Sequence, residues 1–290
     1  GTRFTVDAAD LASGGTVAGH AAGVDTLTAA GNSLDLTSTT LSSIEVLAAG
    51  TSSGTLFSLD SSDASGLGTL AGHASGADTL RAGGTSLDLT SLSLSSIEVL
   101  AASQSSGTVF TLGSASLGSA ITITGHTSAA DTLSVAGSSV DLSSATLSSL
   151  EILTAGYSGG TVFTLGSSTL AAGMTLSGHS SASDSLRLSG SALNLASATL
   201  SSLEVLSFGL SSGSVLSLDA ADLASGGTVA GHAAGTETLV AVGNALTLTS
   251  TTLSSLEVLA AGYSGGTTFT LDAADLASGG TVAGHSSGAD

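Results

Sequence analysis

The amino-acid sequence predicts an all-β chain folded as a parallel β-solenoid (β-helix) of stacked 53-residue repeats. The first observation is a strict internal period, because each of the six histidines lies 53 residues after the one before it. The second is that apolar residues within a repeat recur at spacing two, which is the period of a β-strand. The third is that one repeat has few large side chains, so neighbouring repeats must complete its core.

The period divides the chain into five copies and a partial sixth, with no insertion or deletion between them. The histidine column that sets the register is His20, His73, His126, His179, His232 and His285. The repeats, which we expect to form a single solenoid over residues 1–290, are 1–54, 55–107, 108–160, 161–213, 214–266 and the partial 267–290.

Within the repeat 55–107, apolar residues mark five short strands. The predicted inward positions are Phe57 with Leu59, Leu87 with Leu89, Ile97 with Val99, and Leu70 and Leu80 in two shorter strands. Since alternate strand residues face opposite sides, Glu98 is predicted to point outward. Five strands fit two coils per repeat, whose backbones would hydrogen bond at a spacing of about 4.8 Å. One large coil or three small coils per repeat remain alternatives.

Turn residues separate these strands. In the fifth repeat, Asp219 is placed to cap a helical turn, and Asp222 favours the positive amino end of that turn. Leu223 is predicted to point inward, and Gly226 or Gly227 is predicted to end the turn. No window of the sequence supports a long amphipathic helix.

Charge and composition exclude several classes of partner. The net charge is -19 with only three arginine and lysine residues, so the chain cannot neutralise the phosphates of a nucleic acid or of anionic lipid. No apolar run approaches the roughly 18 residues of a membrane span, so membrane insertion is not expected. The absence of cysteine removes disulfides and thiol chemistry. No amino-terminal signal peptide is visible.

Several phrases of the sequence, among them GADTL, LDLTSTTLSSIEVL and TFTLDAADLASGGTVAG, resemble the repeat regions of bacterial proteins exported by type I secretion. These are the RTX-type adhesins and the surface-layer or filament proteins, and the resemblance covers nearly the whole chain. It implies a place on the bacterial cell surface or in an extracellular matrix, a carboxy-terminal secretion signal outside this segment, and calcium. The RTX calcium nonapeptide is tandem, whereas each copy here has one degenerate version, such as GHASGADTL at 72–80.

One acidic column is the calcium candidate. Calcium takes six to eight oxygen ligands, and carbonyl groups of a turn would add to one carboxylate per repeat. The alternative is that each acid caps the turn that precedes Thr-Leu. The predicted metal residues are Asp25, Asp78, Asp131, Asp184, Glu237 and Asp290. No catalytic residue and no other cofactor site is predicted.

The histidine column also has two interpretations. As a metal array, it would place neighbouring histidines about 10 Å apart under the two-coil hypothesis, too far to share one ion. The simpler interpretation is a turn in which His73 hydrogen-bonds to Asp78 or to the backbone.

These observations favour a structural extracellular repeat protein: a rod, a self-assembling filament or surface matrix, or the spacer of a large adhesin. The expected partners are copies of the chain, joined end to end or laterally, and cell-surface glycans are a further candidate. The chain starts and stops within a repeat without a polar cap, which predicts either a piece of a longer protein or end-to-end stacking.

Two alternatives belong to other classes. A calcium-dependent surface binder of glycan or ice would need exposed aromatic residues or paired threonine arrays, and Tyr157 and Tyr263 are the plausible aromatics. A β-helix enzyme that degrades polysaccharide would need two acids at one site, and no loop or repeat stands apart to hold them. The sequence therefore predicts that the chain is not an enzyme.

Overall fold

A computed structural model describes the chain apart from residues 115–116, 118–119, 168–169, 171–172, 224–226 and 276–278. The predicted fold class is confirmed, because the strands are short, parallel and stacked in a β-solenoid. The chain divides into two compact units, which are described separately. Unit 1 comprises Gly1–Gly137 and Ala145–Ile152, and unit 2 comprises Ser138–Ser144 and Leu153–Asp290.

The elements of the described part of the chain are short strands and one short helix. The first are β1 (Arg3–Val6), β2 (Gly15–Ala18), β3 (Thr26–Ala29), β4 (Ser33–Asp35), β5 (Thr39–Ser42), β6 (Val46–Ala49), β7 (Leu56–Leu59), α1 (Ser61–Gly66), β8 (Thr69–Ala71), β9 (Thr79–Ala82), β10 (Ser86–Asp88), β11 (Ser93–Ser95), β12 (Val99–Ala101), β13 (Val109–Leu112), β14 (Thr122–Thr124) and β15 (Thr132–Val135). The others are β16 (Ser139–Leu142), β17 (Thr146–Ser148), β18 (Ile152–Ala155), β19 (Val162–Leu165), β20 (Thr175–Ser177), β21 (Ser185–Leu188), β22 (Ala192–Asn194), β23 (Thr199–Ser201), β24 (Val205–Phe208), β25 (Val215–Leu218), β26 (Gly227–Ala230), β27 (Thr238–Ala241), β28 (Ala245–Thr247), β29 (Thr251–Ser254), β30 (Val258–Ala261), β31 (Thr268–Thr270) and β32 (Thr281–Ala283).

Unit 1 is a three-sided solenoid. From β1 the chain passes through a turn at residues 8–13 and through β2, which form the other two sides, and then β3 pairs with β1. Paired residues are 23 apart between β1 and β3, 20 apart between β3 and β6, and 24 apart between β8 and β11. The two long sheets run in the orders β1-β3-β6-β8-β11 and β4-β7-β9-β12-β14-β17.

On the third side of unit 1, helix α1 takes the place of one strand. β2 pairs with β5, α1 lies against both β5 and β10, and β10 pairs with β13. The repeat 55–107 therefore has seven sides, of which six are strands and one is a helical turn. Because three sides close a coil, a seven-sided repeat holds two and one third coils, which refines the predicted two.

Unit 2 follows the same plan. Its long sheets run in the orders β16-β19-β21-β24-β26-β29 and β22-β25-β27-β30-β32. Paired residues are 23 apart between β19 and β21 and 20 apart between β21 and β24, as in unit 1. In both units, successive copies of one strand lie in three different sheets: β1, β7 and β13 in unit 1, and β19, β25 and β31 in unit 2. A feature that recurs every 53 residues therefore moves to the next side at each repeat.

The core consists of inward-facing ladders at the predicted positions. Phe57 lies in register between Leu34 and Leu80 on the neighbouring strands, so large side chains stack directly along the core. Burying one such side chain contributes about 1.5–3 kcal/mol relative to exposure. The predicted positions that are fully buried are Phe57, Leu59, Leu70, Leu80, Leu87 and Leu89.

The third predicted pair of the repeat is wrong by one residue. Ile97 is buried, but the next buried side chain is Leu100 and not Val99. The chain bends at Ser96, whose φ is 50°, and the alternation of strand β12 restarts after the bend. The inward positions are therefore Ile97 and Leu100, three residues apart, and Val99 faces outward.

The same bend, made by a serine in the left-handed region, recurs in five repeats. This conformation costs an L-residue roughly 1–2 kcal/mol, so the fold must impose it. The carbonyl oxygen of Ser149 lies against Gly125, where a Cβ atom would overlap it. Gly125 thus permits the close approach of two corners. The serines are Ser43, Ser96, Ser149, Ser202 and Ser255.

Helix α1 begins at a reciprocal pair of aspartates. The Asp60 carboxylate accepts hydrogen bonds from the main-chain N–H groups of Ser62 and Asp63, over 2.8 and 3.1 Å. The Asp63 carboxylate accepts the main-chain N–H of Asp60, which completes a capping box. Two N–H groups that have no partner within the helix are thereby satisfied.

The cap predicted for the fifth repeat is present in unit 2. The main-chain N–H of Asp219 donates to Asp222 over 2.9 Å, and the Asp219 carboxylate accepts from the N–H of Ala221. Leu223 is buried, as predicted. Of the two glycines predicted to end this turn, Gly226 lies outside the described residues, and Gly227 has a φ of 134° at the start of β26.

Candidate functional site

The acidic column predicted to bind calcium lies between the coils of the solenoid. Its first five members have 0% exposed surface, whereas Asp290 is exposed. A buried carboxylate is costly unless it is paired or hydrogen-bonded, so its partners indicate its role. The buried members are Asp25, Asp78, Asp131, Asp184 and Glu237.

Main-chain N–H groups occupy both oxygens of Asp78. Oδ1 accepts from the N–H of Thr55 over 2.6 Å, and Oδ2 accepts from the N–H of His73 over 2.7 Å. Thr55 precedes strand β7 and Asp78 precedes strand β9, and these strands pair in adjacent coils. The carboxylate therefore fixes its own corner at His73 and joins that corner to the neighbouring coil.

The same two bonds recur at the other aspartates of the column. Asp131 accepts from Thr108 and His126, both over 2.6 Å. In unit 2, Asp184 accepts from Thr161 and His179, both over 2.6 Å. Asp25 accepts from Thr2 and His20, and Asp290 accepts from Thr267 and His285.

The glutamate column, predicted to point outward, bonds to the aspartate column instead. The main-chain N–H of Asp78 donates to Oε2 of Glu98 over 2.7 Å, and the N–H of Glu98 donates to the Asp78 carbonyl over 3.0 Å. The earlier expectation is corrected because the bend at Ser96 turns the side chain back over the neighbouring coil. The constant spacing of 20 residues between the two acidic columns was the sequence signal for this contact.

Thr55, Asp78 and Glu98 therefore connect three consecutive coils. The spacings of 23 and 20 residues match the register of β7 with β9 and of β9 with β12. The connection recurs with Thr108, Asp131 and Glu151 in unit 1, and with Thr161, Asp184 and Glu204 in unit 2. We call this arrangement the coil clamp.

At Asp25, the hydrogen bonds of the coil clamp favour the ionised carboxylate. Main-chain hydrogen bonds from Thr2 and then His20 lower the pKa of Asp25, against the opposing effect of burial. Hydrogen bonds to a charged group are stronger than neutral ones. The clamp therefore fixes the register between neighbouring coils, and its carboxylate also accepts the N–H group of the histidine corner.

The histidines sit in the corners that the aspartates fix. The Nδ1 atom of His73 accepts the N–H of Ser75 over 3.2 Å, so the neutral ring carries its proton on Nε2. This agrees with the turn interpretation, in which the backbone of His73 also donates to Asp78. Because each repeat moves one side onward, the successive histidines of a unit lie at different corners and do not form a stacked array.

The geometry of the aspartates favours turn capping, and calcium binding at the column stays a prediction. An N–H group points its positive end at each carboxylate oxygen of Asp78, where a cation would be repelled. Within the described ranges of the chain, no three histidine, aspartate or glutamate side chains converge on one point.

The fifth repeat departs from the clamp, because Glu237 stands where the other repeats have aspartate. Its main-chain N–H still donates to Glu257 over 2.8 Å, but its own Oε1 and Oε2 have no hydrogen-bond donor. Burial raises the pKa of Glu237, and the nearby carboxylate of Glu257 adds to the increase, against the opposing effect of His232. The fifth repeat thus keeps the bond from the main-chain N–H to Glu257 and lacks the bonds that an aspartate carboxylate accepts in the other repeats.

The capping aspartates of the helical turns are a second set of buried acids. Burial raises the pKa of Asp63 to about 7, and the charges of Asp60 and Asp35 add to the increase, although the Asp60 N–H opposes it. Burial also raises the pKa of Asp222 to about 7. These two acids therefore titrate near neutral pH.

Two tyrosines of unit 2 are the aromatic residues considered for glycan binding. Tyr157 and Tyr263 are 42% and 45% exposed, and their rings lie over Gly159 and Gly265. They are two repeats apart, so they lie on different sides of the solenoid. A single glycan chain running along one side would meet one of them, and glycan binding stays a prediction.

Across the described residues, the structure has no helix that combines the length and the apolar character of a membrane span. Comparison with family models, with curated proteins and with solved structures finds no match to this chain. The geometry of the chain identifies it as a β-solenoid repeat protein. Its recurrent buried site is the coil clamp.

Proposed function

We propose that this chain is a structural, non-enzymatic module outside a bacterial cell: a rod, a self-assembling filament or surface matrix, or the spacer of a large adhesin. The observation that carries the proposal is the coil clamp. In both units, buried aspartates and their glutamate partners bond to the main chain of neighbouring coils. Their hydrogen bonds hold coils in register.

The chemistry of the acids supports this role over hydrolysis. An acid pair that cleaves a glycosidic bond must reach the substrate on both sides of that bond. Asp78 and Asp184 have no exposed surface, and main-chain donors occupy both of their oxygens. The repetition of one site also favours a mechanical role, since each repeat with a complete clamp adds the same kind of contact along the solenoid.

The place of action rests on sequence. The resemblance to RTX-type adhesins and surface-layer or filament proteins supports an extracellular site, and the acidic, cysteine-free composition is compatible with it. Parallel strands leave unpaired backbone groups at the terminal coil of any solenoid, so copies joined end to end would continue the same hydrogen bonding.

Negative-stain electron microscopy, with calcium and then with a chelator, tests the proposal. Elongated particles or fibres in both conditions support a structural module whose stacking is intrinsic. Elongated particles with calcium alone would assign the acidic column to a metal. Compact particles in both conditions would contradict the proposal.

A matched pair of variants links the particles to the solenoid core. Leu100→Asp places a charge in the core, and Ala101→Asp places the same charge on the outer face of the same strand. We expect the elongated particles to be lost in the first variant and kept in the second. Equal behaviour of the two variants would contradict the assignment of inner and outer faces.

A further inference from the structure

An acid, a hydroxyl and an arginine form a straight outward column on one sheet of unit 1. Asp35 of β4 is in register with Ser58 of β7, and Ser58 is in register with Arg81 of β9. Adjacent strands are about 4.8 Å apart, so the Asp35 and Arg81 backbones are separated by roughly 9.6 Å along the sheet.

Both charged groups of this column can accept a further partner. Asp35 is exposed, and its Oδ1 accepts from the N–H and the hydroxyl of Thr37. The guanidinium of Arg81 lies along the column and donates through Nε and Nη2 to Oγ of Ser58, over 3.1 and 2.7 Å. Among the residues that the structure describes, no hydrogen bond reaches Oδ2 of Asp35 or Nη1 of Arg81.

Unit 2 contains the same column. Asp141 of β16 is in register with Thr164 of β19, which is in register with Arg187 of β21. Asp141 and Arg187 are both exposed. Two of the three arginines of the chain thus stand two strands away from an aspartate, in the same order and on the same side of a hydroxyl residue.

Other repeats lack this pattern, which makes it a specific feature of two sheets. The column of Asp88, Thr111 and Ser134 has the acid without the arginine. The column of Asn194, Ser217 and Val240 has neither.

The order acid, hydroxyl, arginine is complementary to itself when it is reversed. Consider two copies whose sheets face each other, related by a two-fold axis that runs parallel to the central strand, midway between the sheets. This axis reverses the order of the strands in the partner, and each column still faces the same column of the partner. The strand of Asp35 then faces the strand of the partner's Arg81, and the reverse. The Arg81 guanidinium, which lies over Ser58 on the central strand, exchanges its bonds to Ser58 for the partner's Asp35. Facing sheets pack about 10 Å apart, a distance that one arginine and one aspartate side chain together can span.

The neighbouring outward column places an apolar residue at the centre of the same axis. Leu56 lies on the central strand of the unit 1 column, two residues before Ser58, and is half-buried. Val162 has the same position in unit 2, where it is 37% exposed. Each would meet its own copy across the axis, with ion pairs on either side, the arrangement of an apolar centre with a polar rim.

We propose that a second copy of this chain docks against these sheets side by side, with its solenoid axis antiparallel, through the self-complementary Asp–hydroxyl–Arg columns. The occupant is another copy because the column matches its own reverse. A net charge of -19 opposes any general association, so contact is confined to the sheets that carry an arginine. The proposal rests on the structural role above and specifies how modules join laterally.

Charge exchange tests the proposal by sedimentation velocity, with the full chain at moderate ionic strength. Arg81→Asp with Arg187→Asp should abolish the side-by-side association of the parent chain, which carries two such sheets and can bind a copy at each. Adding Asp35→Arg and Asp141→Arg to that variant restores the self-complementary columns and the parent net charge, and should restore the association. Arg3→Asp, outside the columns, is the charge-matched control for either arginine substitution made singly and should leave the association unchanged.

Mixing adds a second readout that a structural role of the arginines would not produce. The parent chain and the four-fold exchanged chain should each pair with itself but not with the other, because like charges then face each other. Pairing between the two, or failure of the exchanged chain to dimerise while its circular dichroism and melting match the parent, would overturn the proposal. Single elongated particles without pairs would leave the structural role standing, whereas compact particles would remove that role.

Discussion

Asp78 and Glu98 bond to each other in both directions between adjacent coils. The N–H of Asp78 donates to Oε2 of Glu98 over 2.7 Å, and the N–H of Glu98 donates to the carbonyl of Asp78 over 3.0 Å. Parallel sheets supply the second bond in any solenoid, but the first needs a carboxylate that reaches back over the previous coil. The pair therefore marks the register with a side chain, which a slip of one residue would break.

Asp78→Asn should destabilise the solenoid around the second repeat. One amide oxygen can replace one carboxylate oxygen, but the amide NH₂ then faces a main-chain N–H donor of Thr55 or His73. We expect a loss of about 1.5–3 kcal/mol, together with faster hydrogen exchange at the amides of those two residues. Denaturant unfolding and exchange measured by NMR check this, with the exposed Asp88→Asn as the control. Equal effects of the two substitutions would contradict the clamp.

Glu98→Gln should weaken the solenoid by about 1 kcal/mol, because the Asp78 N–H keeps an acceptor but loses the charge of that acceptor. Glu98→Ala should cost more, since the N–H is then left without a partner. The ranking parent, Gln, Ala in denaturant midpoint is the measurement. A Glu98→Ala chain as stable as the parent would show that the side-chain bond contributes nothing.

Glu237→Asp should stabilise unit 2, because an aspartate there can accept the main-chain N–H groups of Ser214 and His232. Asp184 accepts the equivalent N–H groups in the preceding repeat. The reciprocal change Asp184→Glu should destabilise the same unit by a similar amount. Both substitutions alter one methylene group and no charge, so melting temperatures compare directly. A decrease in stability with Glu237→Asp would contradict the assignment of the fifth repeat as the incomplete clamp.

Stability should fall as the pH rises from about 4 to about 7, and should level off above that range. Burial raises the pKa of Asp63 and of Asp222 to about 7, against about 3.9 in an unfolded chain. A raised carboxyl pKa contributes stability that is fully present below about 3.9 and is lost as the pH rises through the folded value. Denaturant midpoints between pH 4 and 9, at ~0.5 unit intervals, measure this dependence.

The acids responsible can be identified by substitution. The variant Asp63→Asn with Asp222→Asn should have a flatter pH profile than the parent, because an amide keeps the acceptor and cannot ionise. Asp88→Asn removes one exposed charge and should leave the slope near pH 7 in place. An unchanged profile in the double variant would contradict the assignment.

Gly125→Ala should destabilise unit 1 by several kcal/mol, at the upper end of single substitutions. The added Cβ would overlap the carbonyl oxygen of Ser149, and the backbone on both sides is fixed by sheet pairing. Gly84→Ala is the matched control, because the nearest atom to its Cβ is the Ser86 carbonyl oxygen at 3.9 Å. We expect that change to stay within about 0.5 kcal/mol of the parent in thermal unfolding.

The repeat and the inward ladders could be predicted because apolar alternation is a local property of each strand. Phe57 and Leu59 were placed correctly for this reason. Val99 was misplaced because the bend at Ser96 uses a left-handed serine, where sequence reasoning expects glycine. Past that bend, the alternation cannot be carried over from Ile97.

The coil clamp was only partly predictable. The columns of Asp78 and Glu98 were visible, but their partners are main-chain N–H groups, which every residue except proline carries and which leave no mark in the sequence. The number of sides was also hidden, because the helical turn that begins at Asp60 occupies a side without alternating like a strand. Counting strands alone gives two coils, and counting the helix as a side gives two and one third.

Because a repeat has seven sides and a coil has three, the number of repeats determines the orientation of the last coil in a stack as well as the length of the stack. Within either unit, removing one repeat of 53 residues would shorten the stack by two and one third coils and turn the coils of that unit beyond the cut by one third of a revolution. Only a gain or loss of three repeats restores the original bearing. Unequal recombination between near-identical repeats would therefore change the orientation of the coils that follow among three discrete directions, while neighbouring coils keep the same register.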